Sequence, residues 1–256
     1  MPRTSLPWLI LATVVVSAAL AWWTLTRGGY GPPTSHLEHK DLPPFHEIAV
    51  GGLAAVTLLQ ADRESIDVEA PARGASVDAG VANGRLVIRS EIRRRWWSGL
   101  FGRRTSAMPS ITVRFRKLDV IEMTGNITLD APKLATSSLR IEASGGSALT
   151  IDDLDAVSLR VDGSGALRAK LAGRVENEDV SISGAGSYSA EHLHATHASV
   201  SVSGVGNVLL HAERTLRANI SGAGVIEYVG DPTVTEHVSG VGRVKRRDPG
   251  QRPRPA

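Results

Sequence analysis

Two groups of side chains in this 256-residue chain are spaced as if for chemistry: a histidine cluster and a column of carboxylates. "EHLHATH", residues 191–197, supplies Glu191, His192, His194 and His197, and His211 lies one repeat beyond Glu191. Imidazoles with a carboxylate suit zinc; a solvated outer turn explains the same residues without a metal. Glu122, Glu142 and Asp162 recur at one position, with Arg140 and Arg160 two residues before the later pair. Stacked hard oxygens could hold calcium, and charge compensation by the arginines is the simpler reading. No nucleophile–base pair, phosphate-cradling loop or metalloprotease spacing occurs. Cysteine is absent, which excludes disulfides and thiolate metal sites. These residues predict a non-enzymatic chain that needs no cofactor.

A third cluster is built for contact. "RRRWWSGLFGRR", residues 93–104, carries Arg93, Arg94, Arg95, Trp96, Trp97, Leu100, Phe101, Arg103 and Arg104. An apolar tip flanked by guanidinium groups suits a membrane surface or an acidic partner. The competing reading has the aromatic rings fold back to cap the open end of a core.

The elements that position these residues come from an internal repeat. Gly125, Gly145, Gly165, Gly184, Gly204, Gly222 and Gly240 follow one another at 18 to 20 residues, each preceded by Ser or Thr. Apolar residues alternate with polar ones on both sides of each glycine, as in Val200/Val202 before Gly204 and Val208/Leu210 after it. Period-two patterning on either side of a corner means two short strands per repeat, and a repeat of this size means stacked coils. The fold class is therefore all-β: a parallel β-helix-like solenoid whose coils lie ~4.8 Å apart. Thr124, Ser144, Ser164, Ser183, Ser203, Ser221 and Ser239 stack in one column. A hydroxyl recurring in every coil reads as a structural hydrogen-bonded ladder rather than as a nucleophile.

The flanks set the location. Leu6–Leu25 is uncharged and about the ~20 residues a spanning helix needs, with Trp22 and Trp23 near one end. It reads as a signal anchor, or as a signal peptide cleaved after "ALA". The expected organisation is a membrane segment at 1–27, a Gly/Pro spacer at 28–44, the solenoid at 45–245 and a basic Pro-rich tail at 246–256. The net charge of +3 is too small to argue for nucleic acid.

"FHEIAVGGLAAVTLLQADRESIDVEA", "GRLVIRS", "LDVIEMTGN", the serial "SG-x-G" coils and "YVGDPTV" together resemble the autotransporter-adhesin head domain, or GIN domain, a bacterial family of unknown function. The resemblance spans roughly residues 45–244; the basic aromatic insert at 93–104 departs from it. It implies a β-helix-like solenoid facing the cell envelope, with adhesive or binding roles and no established catalytic residues. The expected role is a binding module near a membrane surface, its partner an envelope protein or a glycan. The alternatives are a polysaccharide-acting β-helix enzyme, which needs an acid/base pair on an outer face, and an envelope-stress accessory protein. The expected location is the periplasmic side of the inner membrane.

Overall fold

The computed structural model describes residues 36–70, 75–92 and 108–247. The segment Leu6–Leu25, the insert Arg93–Arg104 and the tail beyond Arg247 lie outside them. No helix among the described residues is long and apolar enough to cross a membrane.

Period-two sequence becomes strand throughout. The elements are β1 (His36–Asp41), β2 (Glu47–Gln60), β3 (Ser65–Ala70), β4 (Ala75–Ala82), β5 (Arg85–Ile92), β6 (Ser110–Phe115) and β7 (Val120–Ala131). They continue as β8 (Leu134–Gly163), β9 (Ala166–Ile182), β10 (Ala185–Val202), β11 (Val205–Ile220), β12 (Ala223–Val229), β13 (Thr233–Val238) and β14 (Val241–Arg246). From β2 through β7 to β14 every pairing is parallel, and the chain winds through about six turns of a β-solenoid. β5 and β6 together form the coil beneath β2. Ile92 ends β5 and Ser110 begins β6, so the described strands on either side of the insert both belong to that first coil. β1, β3 and β4 add antiparallel strands at this end. The polar stretch "HLEHKD", part of the expected spacer, is strand β1, held by main-chain pairing to β3.

The predicted inward columns are buried. Ile121, Ile141, Val161, Val180, Val200 and Ala218 form one of them, each at most 1% exposed. The two-strand reading of each repeat falls short, because a third inward run closes every coil. Leu134, Leu154, Ala156, Val175, Leu193, Ala195 and Ala212 belong to it. Its apolar positions are diluted by outward charges, as in "LDAVSLRV" and "RVENEDV", which hid the alternation.

The glycine corner is a steric requirement. A Cβ on Gly204 would lie 1.9 Å from the carbonyl oxygen of Gly184, and one on Gly125 would lie 2.3 Å from that of Gly52. Gly52 pairs with Gly125 and is an earlier rung of the same column. The adjoining hydroxyls behave differently from expectation. The Ser144 hydroxyl reaches Thr124 Oγ1 at 3.3 Å, but those of Ser164 and Ser183 donate to the carbonyls of Ala143 and Gly163 at 3.4 Å. Main-chain amides carry the rest of the column: the Ser203 and Ser239 N–H groups donate to Ile182 and Ile220 carbonyls at 2.9 Å. Coil-to-coil main-chain bonding thus makes the ladder, with the hydroxyls as auxiliaries.

Candidate functional site

The solenoid turns its outward residues into straight columns, so each sequence candidate can be placed by register. The carboxylates Glu122, Glu142 and Asp162 do share a column, and each is met by an arginine. Arg85 pairs with Glu122, Arg140 with Glu142 at 2.6 Å, and Arg160 with Asp162 at 2.9 Å. Arg160 also reaches Asp179 at 3.4 Å. Hydrogen bonding to Asp162, aided by the carboxylates around it, raises the Arg160 pKa further above its usual value. Each carboxylate is thus met by a guanidinium, the charge-compensated arrangement.

The histidines separate for a reason the repeat spacing concealed. Strand β10 inserts three residues, Glu191 to Leu193, between the partners of Leu210 and His211. His211 therefore pairs with His194, not with Glu191. Their rings lie 4.3 Å apart, tilted by 46°. Burial and the neighbouring His194 lower the His211 pKa below the usual imidazole value. His197 sits in the next outward column with Nδ1 2.8 Å from Thr215 Oγ1, and His192 approaches Glu191 at 3.7 Å. Among the described residues no group of three or more His, Asp or Glu side chains gathers to hold a metal. His194 and His197 instead line a groove of about 810 Å³ with Asp155, Arg174, Thr196 and Arg214.

Beside this groove is a flat face that sequence inspection passed over. The outward residues of "NEDVSIS" (177–183), "HASVSVS" (197–203), "TLRANIS" (215–221) and "TVTEHVS" (233–239) are in register across β9, β10, β11 and β13. One column reads Asn177, His197, Thr215, Thr233, and its neighbour reads Ser181, Ser201, Asn219, His237. The middle column holds the face's acid and base, Asp179 and Arg217, with Ser199 and Thr235. Asp179 is the acid already taken by Arg160. The lower half of the same side is thus ion-paired, and the upper half is mostly short and uncharged.

Beneath that face lies a buried pair that the sequence reading also missed. Glu178 extends the inward alternation of Val180 and Ile182 by one step, where Leu159 and Ala198 are its register neighbours, and is 2% exposed. The Tyr188 hydroxyl donates to Glu178 Oε1 at 2.6 Å, while Oε2 is buried without a hydrogen-bond partner. Desolvation pushes the carboxyl pKa up to about 7, against the hydrogen bond from Tyr188. The same burial, with the adjacent carboxylate, holds the phenol well above its ordinary value. Ala169 and Ala198 stack against Tyr188 and Glu178 respectively, leaving room for the two larger side chains.

The architecture is a parallel β-solenoid with antiparallel strands at its N-terminal end and long, regular lateral faces. The chain belongs to the family described as "Putative auto-transporter adhesin, head GIN domain", whose model matches residues 44–232. Three solved structures share the fold. A "putative adhesin" from Bacteroides fragilis superposes with a TM-score of 0.73 at 24% identity, covering 84% of this chain and 99% of its own. A "putative adhesin" from Parabacteroides distasonis gives 0.59 at 20% identity, covering 84% and 98%. A "Putative lipid binding protein" from the same species gives 0.53 at 18%, covering 85% and 98%. No curated protein matches the chain.

Proposed function

We propose that the chain is a non-enzymatic, adhesin-like binding module of the bacterial cell envelope, presenting the outer side of its solenoid to an envelope protein or glycan. The observation that carries this reading is the open lateral face of β9, β10, β11 and β13, with the groove at its edge. Family membership supports it, as do structural neighbours described as adhesins. The pairing of Glu122, Glu142 and Asp162 with arginines weighs against a polysaccharide-cleaving role, which needs one free acid and one free base. In this reading Leu6–Leu25 anchors the chain in the inner membrane and the solenoid stands in the periplasm. A reporter active only outside the cytoplasm, fused after Ala256, should give signal; a silent reporter beside an active cytoplasmic one contradicts the topology.

The insert Arg93–Arg104 adds a second, peripheral membrane contact. The described strands on either side of it, ending at Ile92 and beginning at Ser110, both belong to the first coil. Trp96 and Trp97 suit the headgroup level, and arginines gain roughly 1 kcal/mol each near an anionic surface. Beyond the attachment that Leu6–Leu25 gives to any bilayer, full-length protein should bind anionic vesicles more than neutral ones through this insert, the excess falling at high salt. Replacing Trp96 and Trp97 with Ala should reduce that binding with thermal stability unchanged. A large loss of stability without a change in binding identifies the rings as a cap.

A further inference from the structure

The chemistry of the upper lateral face narrows what it can bind. Three outward positions on each of four strands make a grid, with ~4.8 Å between strands and nearly 7 Å between alternate residues of one strand. Ser, Thr, Asn and His fill most of it, all short groups that both donate and accept hydrogen bonds. Among the described residues, the side-chain bonds made by this grid are His197 with Thr215, within it, and Asp179 with Arg160 of β8. The other hydroxyls and amides face water.

Each common class of macromolecular partner makes a demand that this surface can be checked against. Nucleic acid and anionic lipid need several unneutralised cations; the grid has Arg217 alone. A tight protein interface is anchored by buried Trp, Tyr or Arg in pockets; the grid is flat and carries no aromatic ring larger than imidazole. A neutral polyhydroxylated polymer demands repeated donors and acceptors at regular spacing without net charge. The grid supplies those, and a polymer touching several strands at once converts weak single contacts into useful affinity. Ion pairs closed on themselves in the lower half leave the upper half, whose charged positions are Asp179 and Arg217, without net charge.

We infer that the face formed by β9, β10, β11 and β13 binds an extended, uncharged polysaccharide lying across the coils. This rests on the binding-module reading and names its ligand class. The test is affinity electrophoresis of full-length protein through gels containing dextran, mannan or hydroxyethylcellulose, with pectate as the acidic comparison and anionic vesicles assayed by sedimentation. At least one neutral polymer should retard the protein at least twofold, with little dependence on salt. Ser199→Glu with Ser201→Arg places two long charged side chains on the grid and should abolish retardation without altering thermal stability. Lys170→Glu, a charge change on another face, should leave it intact. Retardation by pectate alone, salt-sensitive vesicle binding alone, or equal retardation of the grid variant would overturn the assignment. Capture of envelope material by the wild type and grid variant alike would overturn this ligand class while sparing the binding-module reading. Capture of nothing by either would remove both.

Discussion

At the scale of single residues, Glu178 makes the sharpest demand on solution behaviour. Its folded pKa of about 7 lies above the ordinary 4.5 because burial penalises the charged form. The stability it confers is therefore fully present below pH 4.5 and is lost as pH rises through about 7. For one proton at this shift the loss is about 3 kcal/mol. Glu178→Gln keeps an acceptor for the Tyr188 hydroxyl and cannot ionise, so its unfolding free energy should vary much less between pH 5 and 8. Denaturant unfolding of both proteins across that range checks this, and parallel pH profiles would show that the carboxyl does not govern stability. The pair was legible only in part. Tyr188 stands in an inward column that the repeat exposes, but Glu178 takes the inward position two residues before Val180, where its own charge and those of Glu176 and Asp179 mask the alternation. The histidine register failed for a different reason. Three residues added in β10 and one added in β11 produce the step from 20 to 18, and spacing alone does not say where additions fall.

At the scale of elements, the corner glycines were readable because sterics leave no substitute. Coil spacing, inward columns and strand positions all follow from them. The hydroxyl beside each glycine was the weaker clue, since coil-to-coil amide bonds do most of the holding. Gly204→Ala would set a methyl 1.9 Å from a main-chain oxygen that neighbouring coils hold in place. It should cost roughly 2–4 kcal/mol. Gly80→Ala in β4 meets nothing within 4 Å and should be neutral or stabilise by up to about 1 kcal/mol. Thermal unfolding of the two variants separates the cases, and similar shifts for both would mean that the corner is not tightly stacked.

At the scale of the whole molecule, the solenoid is closed differently at its two ends. Antiparallel strands β1, β3 and β4 supplement the first coils. At the other end Glu236 continues the aliphatic column of Val180, Val200 and Ala218 with a charge. An exposed charge at that register position on a terminal strand opposes stacking of a further coil or a second copy. What remains available for recognition is the lateral surface, where paired charges leave a neutral face and the groove beside it. Such a surface should hold its ligand without altering it. The most direct measurement is incubation of full-length protein with the neutral polysaccharide that retards it, followed by elution and analysis of chain length and reducing ends. Quantitative recovery of polymer with unchanged length is the expected result for a passive binding module. Shortened chains or new reducing ends, lost when Glu122 or Glu142 is replaced by Gln, would contradict it.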